Sequence, residues 1–105
     1  MDARAERAGK NEAVFREVNE RISDLTRENA AEYLCECATA ACTETIQMTV
    51  AEYENVRSVS TDFAVLPGHE VPDLEEVVAR QDAFLVVRKK AGAAAALATE
   101  LDPRS

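Results

Sequence analysis

Nowhere in the chain do apolar residues run to the roughly 18 consecutive positions that a membrane-spanning helix needs. The opening "MDARAERAGKNEAVF" is charged throughout and lacks the apolar core of a secretory signal. No internal repeat and no linker rich in proline, glycine or serine divides the 105 residues, a length suited to one domain with one modest core. Basic residues are also scarce, twelve against twenty acidic ones, for a net charge of −8. That balance disfavours a surface built to neutralise nucleic-acid phosphates or to lie on an anionic membrane. Its plainest use is solubility. The chain carries no P-loop, dinucleotide fingerprint, nucleophile elbow or metalloprotease helix. A cytoplasmic protein with no nucleic-acid or membrane partner is expected.

Histidine occurs once, at His69, and cysteine three times, all within "YLCECATAAC" at residues 33–42. An odd count fits a closed disulfide framework badly. In a reducing compartment, clustered thiols point to metal or redox chemistry. Read as a motif, the stretch is C-x-C-x4-C. Residues two apart on an extended strand share a side, so Cys35 and Cys37 can face one point, and the connection can fold Cys42 back toward them. Pro67-Gly68 has type II turn chemistry and delivers His69 directly after it. Cys35, Cys37, Cys42 and His69 together make a Cys3His set, suited to tetrahedral zinc at bond lengths of about 2.0–2.3 Å.

Other readings of the same residues stay open. If His69 does not ligate, water or a carboxylate such as Glu36 or Glu44 completes the sphere. An iron–sulfur cluster is the alternative cofactor, because thiolates with a histidine do hold such clusters, although the ferredoxin spacings are absent. A Cys42–His69 nucleophilic dyad is a third reading. It needs an orienting third group and a pocket for which a small core leaves little room.

Residues 1–10 read as a flexible polar entry segment, 11–101 as one domain and 102–105 as a tail. Asn11 is a candidate N-cap with Glu12 behind it. Phe15, Val18, Ile22 and Leu25 recur at three- and four-residue steps, which predicts a helix over 11–28 with one apolar stripe. Glu12 with Arg16 and Glu17 with Arg21 are i,i+4 pairs. The stripe is expected to pack on the domain's own sheet, a short coiled-coil dimer being the alternative use. "YLCEC", "TIQM" and "FAVL" (63–66) are strand candidates, and Thr49 with Glu52 forms a capping box that opens a short helix. Asp73 can cap a second short helix carrying Leu74, Val77 and Val78. "FLVVRK" (84–89) is the most strand-like run, with Phe84, Val86 and Arg88 on one face and Leu85, Val87 and Lys89 on the other. The alanine-rich end favours a marginal helix that stops before Pro103. The expected fold is α+β: an amphipathic N-terminal helix on a short, mainly antiparallel sheet, with two further short helices, stabilised by metal.

The spacing of Cys35, Cys37 and Cys42 resembles the C-x-C-x4-C of the post-SET segment in histone lysine methyltransferases, whose cysteines hold zinc completed by a distant fourth. That resemblance covers the motif alone, with no methyltransferase core beside it. The C-x-C and histidine combination is similar to the CDGSH iron–sulfur proteins, without the Cys-Asp-Gly-Ser-His block that defines them. The segments "NEAVFREVNERI", "CECATAAC", "AEYENVR" and "FAVLPGHE", with "FLVVRKK" and "LDPR", resemble a group of small uncharacterised bacterial proteins, mainly actinobacterial. That resemblance implies one self-contained domain from Asn11 onward and supplies no activity. The functional expectation is a small metal-binding protein, with zinc in a structural role, that acts through an unknown protein partner or in regulation rather than catalysis. It is expected as a monomer or weak homodimer. The alternatives are an iron–sulfur or thiol-based redox sensor and, third, a small Cys-dependent enzyme.

Overall fold

The computed structural model describes residues 3–39 and 41–104, with side chains from residue 6 onward. Among them are three helices and two small antiparallel sheets, an α+β arrangement with the N-terminal helix packed on the sheets. Strand β1 (Ala30–Leu34) pairs with β2 (Thr45–Thr49), placing Tyr33 opposite Ile46 and Ala31 opposite Met48. Ile46 and Met48 alternate inward while their neighbours face out, the period-2 pattern of a half-buried strand. Thr49 then starts α2 (Val50–Arg57) with the expected reciprocal cap. Its hydroxyl accepts the Glu52 amide at 2.9 Å, and the Glu52 carboxylate accepts the Thr49 amide at 2.8 Å. Tyr53 on α2 stacks on Tyr33 with ring centroids 4.5 Å apart, which closes the core between the first sheet and the helix.

The second sheet has the order β3 (Asp62–Val65), β5 (Leu85–Lys89), β4 (Glu75–Arg80), with the most strand-like run at its centre. The stretch expected as a helix around Leu74, Val77 and Val78 is instead strand β4. Cross-strand chemistry overrides the helical spacing there. Glu75 lies opposite Lys89, Glu76 opposite Arg88 and Val77 opposite Val87, pairs that a helix at this position would forgo. The ladder shifts register between Val77 and Ala79, so Val78 is left over and exposed, as in a bulge.

Helix α1 spans Ala3–Leu25, starting eight residues before Asn11 and ending three before residue 28. Asn11 is therefore no cap but an interior residue. The larger departure is which face points inward. Glu12, Arg16, Asn19 and Ser23 are buried, whereas Val14, Val18 and Leu25 are 59%, 43% and 73% exposed. Of the expected apolar stripe, Val18 and Leu25 thus lie outside, Phe15 is half-buried, and Ile22 packs against the core. Polar groups win the inner face because each finds a partner there, and pairing removes most of the cost of burying them. Lys89 from β5 is ion-paired with both Glu12 and Glu75. Arg16 donates to the carbonyls of Ser60 and Ala98, each at 2.7 Å, and its guanidinium lies 4.8 Å from the centre of the Phe63 ring. The Tyr33 hydroxyl reaches Ser23 Oγ at 3.3 Å. Among the described residues neither i,i+4 pair expected on α1 forms an ion pair, since Glu12 is drawn to Lys89 instead.

Helix α3 (Ala93–Glu100) lies against α1. At Gly9 a Cβ would sit 3.2 Å from Leu97 Cδ1 and 3.4 Å from Ala94 Cα, so the small residues on both helices permit a close approach. Beyond α3, Asp102 is ion-paired with buried Arg57 and accepts Ser60 Oγ at 2.7 Å. Arg104 reaches Glu20 on α1 at 2.6 Å. Among the described residues no helix is long and apolar enough to cross a membrane.

Candidate metal centre

The chain leaves β1 still extended, and residues 35 and 36 bridge the two sheets. Cys35 donates its amide to Glu44 O at 3.1 Å on the β2 side, and Glu36 donates its own to Ala64 O at 2.8 Å on β3. Side chains alternate along this segment, so Cys35 and Cys37 emerge together on the side away from Glu36. Cys42 comes back through a turn in which its amide donates to Thr39 O at 3.0 Å. The fourth group arrives from β3. His69 donates its amide to Leu66 O at 2.9 Å across Pro67 and Gly68, and Gly68 has φ +92°. That is the type II turn, whose second central position favours glycine because it needs positive φ.

These elements bring together all four residues singled out from the sequence. One ligand atom from each of Cys35, Cys37, Cys42 and His69 lies within 4.8 Å of the others. His69 Nδ1 is 3.6 Å from Cys35 Sγ and 3.7 Å from Cys42 Sγ. A tetrahedral zinc with its usual bond lengths has sulfur–nitrogen edges of about 3.5 Å. One imidazole nitrogen accepts a hydrogen bond from one thiol at most, so near-equal distances to two sulfurs fit a shared centre better than a thiol–imidazole pair. The Leu66 amide donates to Cys35 Sγ at 3.3 Å, the kind of backbone support that steadies a thiolate.

Cys35 and Cys37 are buried, while Cys42 and His69 are partly open, which gives an ion a route in from one side. Burial pushes the Cys35 thiol well above its ordinary value, and burial also raises Cys37. This is the direction opposite to that of an activated nucleophile. A cation among the sulfurs reverses it, because a coordinated thiol is held as thiolate. The donor set, its spacing and its partial enclosure fit a metal ion, and the four residues can hold one.

Neither alternative carboxylate joins them. Glu36 turns the other way and is fully buried. It accepts Tyr53 Oη at 2.7 Å and Asn19 Nδ2 at 2.9 Å, and its second oxygen accepts the Ala64 amide at 3.0 Å. Burial raises its carboxyl despite these bonds. Glu44 is exposed and outside the group. Cys42 and His69 are close enough for a dyad, but among the described residues no acidic side chain joins the group.

Two asparagines of α1 support the site and carry no motif that marks them. Asn19 holds Leu34 and Glu36, and Asn11 Nδ2 donates to Ala38 O at 2.8 Å. Residues 34, 36 and 38 thus bind the helix while 35 and 37 face the cluster. Strand alternation predicts that division once the segment is known to be extended; nothing local predicts the asparagines. Compared with known proteins, the chain matches no family model, no curated protein and no solved structure.

Proposed function

We propose that the protein binds one zinc ion through Cys35, Cys37, Cys42 and His69, and that the ion is structural. The observation that carries this reading is the convergence of four soft or borderline donors from three segments of chain within 4.8 Å. Four protein ligands leave no open position for substrate, and closed sites of this kind are structural rather than catalytic. An ion there would join the end of β1, the loop bearing Cys42 and the turn after β3, three pieces that a small core holds weakly on its own. A domain so stabilised acts by presenting a surface to another protein or by regulation, not through chemistry at the metal.

Elemental analysis of untagged protein tests the metal directly. One zinc per chain and no visible absorbance is the expected result. Iron with visible absorbance would replace zinc by an iron–sulfur cluster and make a redox sensor the better reading. Neither metal, together with three freely titrating thiols in the folded protein, would overturn the site.

A further inference from the structure

We propose that the outer face of α1 is the interface of an antiparallel homodimer. At about 100° per residue, Val14, Val18 and Leu25 fall within about 40° of one another on the helix, nearly opposite the polar stripe that faces the core. They are 59%, 43% and 73% exposed. Ile22 borders them, and a shallow hollow runs along this face between Val14 and Ile22 with Glu17 and Arg21 on its rim. Three large apolar side chains in a row on one exposed helix face are a contact surface in search of a cover.

The rim identifies the cover as a second copy. The chain carries a net charge of −8, yet this rim presents one acid and one base four residues apart. Among the described residues neither makes an ion pair within its own chain. A two-fold axis perpendicular to the helix, near residue 19, sets Glu17 of each copy beside Arg21 of the other. The same axis puts Val14 against Leu25 at both ends and lays the aliphatic stem of Arg21 over Val18. One patch thereby satisfies itself twice. A parallel pairing would carry Glu17 and Arg21 of the two copies to opposite edges of the seam and leave both unpaired. Three helical turns bury less than the roughly 1,200 Å² of a stable complex, so association is expected on the order of 0.1 mM. The proposal does not depend on metal.

Sedimentation equilibrium of the purified full chain, from about 10 µM to 1 mM, tests it. The wild type is expected to pass from monomer to dimer. Val18→Glu should stay monomeric with an unchanged melting curve, because Val18 faces away from the core. Glu17→Arg and Arg21→Glu should each weaken the dimer about tenfold, since each places like charges across the axis twice. The doubly reversed E17R/R21E chain should recover wild-type affinity. A wild type that remains monomeric throughout overturns the proposal. So does a dimer unaffected by Val18→Glu, or a doubly reversed chain no tighter than the single reversals.

Discussion

The Asn19 side chain closes a two-bond ring with the backbone of Leu34, its amide donating to Leu34 O at 2.9 Å while its oxygen accepts the Leu34 amide at 2.7 Å. A helix side chain thereby does what a neighbouring strand would do, one residue before the first cysteine. Replacing it with leucine leaves both Leu34 backbone groups without their side-chain partner, at about 1–3 kcal/mol for each orphaned group, and takes one of two donors from a Glu36 oxygen that keeps Tyr53. We expect Asn19→Leu to lower the urea midpoint clearly and to speed zinc loss to a chelator. Unchanged metal retention in a destabilised variant would separate the helix from the site.

Removing the ion has a larger expected effect. If it joins three chain segments, its binding free energy is partly folding free energy. The melting temperature should then fall by at least about 10 °C on chelation, the equivalent of a loss of one to two kcal/mol or more at this size. A melting curve that stays in place after verified metal removal would make the site peripheral.

His69 can be tested as a ligand by two replacements with opposite outcomes. His69→Cys should retain zinc, since a thiolate is an acceptable fourth donor. His69→Ala should open the position to water and increase exchange with added cadmium. Equal zinc affinity in the alanine variant and the wild type would remove His69 from the set.

Glu12 gives a pH signature of its own. Burial, the largest influence, outweighs the attraction of Lys89 and raises its carboxyl from 4.5 to about 8. The native state therefore favours the protonated form. Stability from this group is complete below its unfolded value near 4.5, declines as pH rises above that, and is lost through about pH 8. The difference in melting temperature between Glu12→Gln and wild type should widen in favour of the variant from pH 5 to pH 8. A constant difference over that range would show that Glu12 is ionised throughout.

Much of the site could be read from the sequence because its rules are short-range. A two-residue repeat aims Cys35 and Cys37, and a proline–glycine pair fixes the turn before His69. The same locality made the capping box at Thr49 and Glu52 and the run at 84–89 legible. What escaped depends on groups far apart in the chain. The helical period of α1 was readable, but its inward face is chosen by Lys89, Ser60 and Ala98, all more than forty residues away. Apolar spacing picked Phe15, Val18, Ile22 and Leu25, while pairing picked Glu12, Arg16, Asn19 and Ser23. Strand β4 was hidden for the same reason, since Leu74, Val77 and Val78 suit a helix until Lys89 and Arg88 lie opposite Glu75 and Glu76.

The polar inner face of α1 also works as a key. A seam of valines and leucines tolerates sliding by a turn, because any apolar residue can occupy its neighbour's place. Here a slip of four residues, about 6 Å along the axis, puts Arg16 where Glu12 belongs, cation against the Lys89 cation. A slip the other way puts Ala8 there and leaves Lys89 with Glu75 alone, while Glu12 comes to rest where Arg16 had met two carbonyl oxygens. Both misalignments bury unmatched charge, so the helix has one seating, and the asparagines that steady the cysteine segment always arrive at the same height.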